Sequence, residues 1–182
     1  MIEPGGKAIG LATFGDLERE SLAFLPHSLS GILDLPAQWG PSLPIPARGY
    51  HVQRRQYLSR PFLAAMAVLP GEGILRLLGI TDVDLFTPDL NFIFGQALIG
   101  GRDCIISTAR LRSSFYGLPE DPALLRERAI KEAVHELGHT FGLAHCGDPD
   151  CVMSFSNSLA DTDRKGEDFC SRCGRKYVAL LG

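Results

Sequence analysis

His135-Glu136-Leu137-Gly138-His139-Thr140-Phe141-Gly142-Leu143-Ala144-His145 is the stretch on which the reading of this chain turns. Residues four apart on a helix lie roughly 40° apart around its axis, so His135 and His139 project the same way. Two imidazoles side by side can hold a Zn²⁺ at ~2.0–2.1 Å each. Glu136 faces the adjoining side of the helix. Its carboxylate can reach a water polarised by the metal without ligating the metal, and so act as general base. His145 would be rotated by ~120° and raised by ~9 Å if the helix continued. Gly142 removes that obstacle, because glycine takes positive φ, ends the helix and swings the chain back. Three histidines then leave a fourth position for water, as in a catalytic rather than a closed zinc site. The complete spacing is far more specific than the two-histidine core alone.

Downstream, Cys151-Val152-Met153-Ser154-Phe155 reads as a turn that brings Met153 beneath the imidazoles as a soft apolar floor. Four cysteines surround it: Cys146, Cys151, Cys170 and Cys173, the last two as a CxxC. Two close pairs of thiolates suit a closed, tetrahedral, structural zinc site. Disulfides or a redox CxxC are the competing reading. A zinc there would pin the Met153 loop to the C-terminal segment and fix the exit of His145. The chain would thus hold two zinc ions, one catalytic and one structural. Cys104, in an apolar run, reads as a small buried hydrophobe.

Upstream, Ala8 to Phe14 is a buried strand. Asp16 is placed as the cap of a short helix carrying Leu17, Leu22, Phe24 and Leu25, with Pro26 limiting its length. The four prolines between Leu35 and Pro46 predict a surface loop. Pro61 to Leu69 predicts a helix, and Leu77 to Phe86, Leu90 to Phe94 and Cys104 to Thr108 predict strands. The apolar spacing from Pro119 predicts a long helix running into the histidines. Glu167 to Leu181 holds one short helix. This order predicts an α/β or α+β domain with a loop-rich C-terminal part. The expected organisation is one domain over residues 1–182, with an N-terminal subdomain 1–142 and a C-terminal subdomain 143–182.

A length of 182 residues with 45% hydrophobic content suits one domain with a sizeable core. The net charge of −3 argues against nucleic acid as a partner. Arg164, Lys165, Arg172, Arg175 and Lys176 are read as a solvated face. No apolar run reaches the ~20 residues needed to span a bilayer. Met1 to Lys7 lacks the pattern of a signal peptide. A reducing, cytoplasmic setting and a monomer are therefore expected, with no membrane partner.

The extended pattern, His135 to Cys146, then Cys151, Met153, Cys170 and Cys173, resembles that of the archaemetzincins, within the metzincin metallopeptidases. Thr81 to Leu85, Leu90 to Ala97 and Ser107 to Leu111 are similar to the family's strands. The resemblance implies a compact metzincin-like α/β domain, a twisted mixed sheet flanked by helices, with an active-site helix and a zinc-stapled C-terminal subdomain. It implies His135, His139 and His145 on a catalytic zinc, Glu136 as general base, a Met-turn at Met153, and Cys146, Cys151, Cys170 and Cys173 on the second zinc. It also implies that Leu90 to Gly95 is the antiparallel edge strand of the cleft, to which an extended peptide adds. The activity implied is peptide-bond hydrolysis, of endo- or aminopeptidase type. A weakly active or non-catalytic peptide-recognition module is the alternative. Two departures stand out: the sixteen residues between Met153 and Cys170 are one fewer than is common, and Phe155 stands where some metzincins carry a tyrosine.

Overall fold

Every residue of β1, Ala8–Phe14, is buried. A strand buried at all positions and apolar at nearly all of them must be covered on both faces, which places it inside a parallel sheet with helices on either side. The structure, a computed structural model, describes residues 7–181. The Met1 to Gly6 segment considered above lies outside them.

The elements run α1 (Leu25–Leu33), β2 (Ala37–Leu43), β3 (Tyr50–His51), β4 (Gln56–Leu58), α2 (Arg60–Ala67), β5 (Ile74–Thr81), β6 (Leu85–Thr87), β7 (Leu90–Ile93), β8 (Gly95–Ala97), β9 (Asp103–Ser107), α3 (Pro122–Thr140), α4 (Leu159–Arg164) and α5 (Ser171–Leu181). The larger sheet has the order β2-β1-β5-β9-β8, and the smaller β3-β4-β6-β7. In the larger sheet all neighbours are parallel except β8, which pairs antiparallel with β9. The α/β class expected from the sequence is therefore observed, as a mixed rather than uniform sheet.

Side chains alternate across the larger sheet with the period of two that a strand dictates. Ile9 and Leu11 of β1, Leu78 and Ile80 of β5, and Cys104 and Ile106 of β9 join the core beneath α1 and α3. Ala12, Phe14, Leu77 and Ile105 meet Phe62 and Met66 of α2 on the other face. The first of these cores continues into the C-terminal part through Cys146, Val152, Met153, Cys173 and Tyr177. Cys104 is fully buried there, as expected of a small hydrophobe.

Several expected elements differ. Leu35 to Pro46 is no plain loop, since it contains β2, the edge strand against β1. Pro41 lies where the pairing slips, between the partners Trp39 and Ser42. An edge position with a register shift loses no ladder bond to a proline. Pro26 does not shorten a helix but opens α1, in the first turn, where its missing N–H costs nothing. Asp16 caps no helix; Arg19–Leu22 forms a single 3-10 turn. Leu77 to Phe86 splits into β5 and β6 at Asp82 to Asp84. There Asp84 takes two bonds from Arg110, at 2.7 and 2.8 Å, and one from Gln56 at 3.0 Å. Leu90 to Gly95 likewise splits, with Leu90–Ile93 in the smaller sheet. The antiparallel edge strand of the larger one is Gly95–Ala97. Helix α4 had not been expected, although Ser158 and Asp161 form a capping box that signals it.

Tyr177 ties the last helix to the first, since its buried hydroxyl donates to Leu33 O at 2.7 Å. Tyr177→Phe leaves that carbonyl without its partner and should lower stability by about 1–2 kcal/mol. Denaturant unfolding should show a lower midpoint with an unchanged slope.

Candidate metal centre

Helix α3 begins where Asp121 accepts from Leu124 N at 3.0 Å, with Pro122 in the first turn. It ends at Thr140, as the glycine predicts. Gly142 has φ +97°, its N–H bonds His139 O at 2.9 Å, and Leu143 N bonds Gly138 O at 3.0 Å. This is a left-handed glycine cap with the two reverse bonds of a Schellman turn. It also delivers the Leu143 carbonyl to the ring of His139, whose Nδ1 lies 2.7 Å away. The cap that lets His145 return therefore also orients His139.

His135 is oriented in the same manner from a different part of the chain. Its Nδ1 lies 2.8 Å from Val152 O, in the turn that carries Met153. A carbonyl can only accept, so each Nδ1 carries the proton and each Nε2 presents a lone pair. The two Nε2 atoms stand 3.1 Å apart. Two lone pairs at that distance repel, and a cation between them removes the repulsion. His145, exposed, completes the group, and the donor atoms of the three histidines lie within 4.8 Å of one another. Nitrogens bound tetrahedrally to zinc at 2.0–2.1 Å lie about 3.4 Å apart. The donor set and its spacing therefore fit the ion.

Burial holds the His135 imidazole well below its ordinary range, and the nearby Lys165 ammonium and His139 push it the same way. Burial lowers His139 as well, against the Leu143 carbonyl bond that raises it. Neutral imidazoles are the form a metal requires. Glu136 is only 6% exposed, and burial, with the Glu132 carboxylate next, raises it well above the usual carboxylate range. Gly95 of β8 runs directly over it. A Cβ there would sit 2.6 Å from Glu136 Cγ and 2.7 Å from its Oε1, so only glycine leaves space for the carboxylate. These groups open into a cleft of about 460 Å³, walled on one side by Leu90 to Ala97 and on another by α3, with Phe155 at its rim. The Phe155 ring lies 4.9 Å from that of His145.

The four cysteines also converge, and all five cysteines of the chain are free thiols. Cys146 Sγ and Cys170 Sγ are 3.8 Å apart. Sulfurs held tetrahedrally by zinc at ~2.3 Å lie about 3.8 Å apart. Backbone N–H groups of Asp148 and Cys170 point at Cys146 and Cys151, and Arg172 donates to Cys146 Sγ at 3.1 Å. Burial pushes the Cys146 thiol up, but these bonds outweigh it and bring it down to about 7. The Cys146 and Met153 segments are joined by the bond from Cys146 N to Met153 O at 2.9 Å.

Met153 is fully buried, and its sulfur lies over α3, where a Cβ on Gly138 would approach Sδ to 2.5 Å. One of the basic residues read as a solvated face is buried, and a second, exposed as expected, also has a partner. Lys165 is buried against Glu132, and Arg172 is engaged with Cys146. Spacing alone had no means of finding Glu132, Lys165, Gly95 or the two carbonyls.

The profile of peptidase family M54 matches residues 69–178. An archaemetzincin of Pyrococcus abyssi is 44% identical over 177 residues, covering 94% of each chain. The crystal structure of an archaemetzincin from Methanopyrus kandleri superimposes with a TM-score of 0.86 at 38% identity, covering 100% of this chain and 99% of that one. A zinc-dependent peptidase structure from Methanocorpusculum labreanum gives a TM-score of 0.83 at 28% identity, over 93% and 100%.

Gly138→Ala would force Met153 off α3. It should cost about 1–3 kcal/mol, read as a lower melting temperature.

Proposed function

Because the chain belongs to peptidase family M54 and is by that membership a zinc-dependent peptidase, we propose that His135, His139 and His145 hold its catalytic zinc. Glu136 is the general base for peptide hydrolysis. The observation that carries this reading is the pair of Nε2 lone pairs 3.1 Å apart, each aimed inward by a carbonyl on the far side of its ring. A zinc ion held there supplies Lewis acidity toward a water and toward the scissile carbonyl.

The chain's own residues do the rest. The outer edge of β8, next to the cleft, offers its backbone to an extended peptide, which adds as a further strand. Glu136, shielded from bulk water beneath Gly95, takes the proton of the attacking water on its carboxylate. The water oxygen bonds to the carbonyl carbon, the C–N bond breaks, and Glu136 returns the proton to the leaving nitrogen. Phe155 carries no hydroxyl. It covers one side of the exposed His145 ring and keeps that ligand in place. Met153 supports α3 from below as the Met-turn.

Cys146, Cys151, Cys170 and Cys173 hold a second, structural zinc. The 3.8 Å sulfur spacing and the hydrogen bonds to Cys146 and Cys151 support this reading. Free thiols throughout also support a reducing compartment such as the cytoplasm. Among the described residues, no helix is long and apolar enough to cross a membrane.

Elemental analysis should find two zinc ions per chain, falling to one in His139→Ala and to one in Cys170→Ser. Glu136→Gln should retain both and lose hydrolysis of a peptide library by about 10²–10⁴-fold. Cleavage by Glu136→Gln at the rate of the unaltered chain would remove Glu136 from the mechanism.

A further inference from the structure

Lys165 and Glu132 form an ion pair with almost no solvent contact. Their side chains are 1% and 3% exposed, and Nζ lies 3.0 Å from Oε1. Thr162 donates to the same Oε1 at 2.9 Å. Removing two charges from water costs several kcal/mol per ion, and apolar side chains of similar volume would join these elements at least as well. Stability therefore gives no reason for ions at this place. The connection of α4 to α3 is in any case made by others: Arg128 bonds the Asp163 carboxylate at 2.6 and 2.8 Å, and Lys131 bonds Asp163 O at 3.1 Å.

What distinguishes Lys165 is its second neighbour. Its Nζ stands 3.5 Å from His135 Nδ1. That nitrogen already gives its proton to Val152 O, and an ammonium has no lone pair with which to accept. The contact is therefore an approach of a full positive charge to the back of the imidazole. After burial, the ammonium is also among the influences that lower His139 and His145.

Building on the zinc reading above, we propose that Lys165 is a positioning residue of the histidine site. Its ammonium, anchored by Glu132, lies behind the His135 ring, draws electron density from it, and makes the ion at Nε2 a stronger Lewis acid that is bound less tightly. A purely structural clamp would have the opposite effect on metal binding, because loosening the site weakens it.

The deciding variant is Glu132→Gln/Lys165→Met, which removes both charges and leaves no unpaired ion. Zinc affinity is measured by chelator competition on the folded holoenzyme, with His139→Ala reporting the cysteine site alone. The double variant should hold zinc at the histidines about tenfold more tightly. Its kcat should fall by about 10–100-fold with KM nearly unchanged. Zinc affinity that is unchanged or weaker in the double variant, or a kcat equal to that of the unaltered chain, overturns the proposal. A chain that takes up no zinc at the histidines in any form would instead defeat the reading of the site itself, and this inference with it.

Discussion

Two backbone carbonyls, Leu143 O and Val152 O, set the orientation of the His135 and His139 rings, on which the proposed metal site depends. Each accepts the Nδ1 proton of one imidazole and thereby turns the opposite lone pair inward. A helix can bring His135 and His139 to one side, but it cannot choose their tautomer or the pitch of their rings. That choice comes from outside the helix. The Leu143 carbonyl is in place because Gly142 has a positive φ. The Val152 carbonyl is in place because Val152 N bonds Asp168 O at 3.0 Å and Met153 O receives Cys146 N. The orientation of both rings thus depends on contacts made outside the helix that carries them.

The same dependence explains what could be read in the sequence. The histidines, Glu136, Gly142 and the four cysteines follow fixed spacings, because helix geometry and tetrahedral coordination are local constraints. The α/β class was legible for a similar reason, since β1, β5 and β9 each contain an apolar run, whereas the mixed sheet was implied only by the family resemblance. The strand β2 was hidden because its prolines normally exclude a strand, and only an edge position with a register slip admits them. Lys165 was hidden because burial of a charge is decided by a partner elsewhere in the chain. Nothing near Lys165 in the sequence announces Glu132 on α3. Gly95 was hidden for a related reason. Its lack of a side chain has meaning only once β8 lies across Glu136.

The wall of the cleft combines an open edge with a closed floor. Strand β8 has a single neighbour in its sheet, so its outer hydrogen-bonding groups face the cleft side. The floor is the middle of α3, where nearly every residue from Leu125 to Thr140 is buried. A substrate would meet an adaptable edge and, beneath it, the rigidly held carboxylate proposed as general base, which is the pairing that positional catalysis favours.

His145 and Cys146 are consecutive residues, and they belong to different clusters. One peptide unit is therefore ordered by both. Whatever immobilises Cys146 also reduces the conformational freedom that His145 must give up on binding its own ion. With metal in both clusters, as proposed, the two would be thermodynamically linked, and filling the cysteines would raise the affinity of the histidines. By reciprocity the histidines would favour the cysteines equally. Occupancy of the histidine cluster would then respond to metal supply more steeply than independent sites allow.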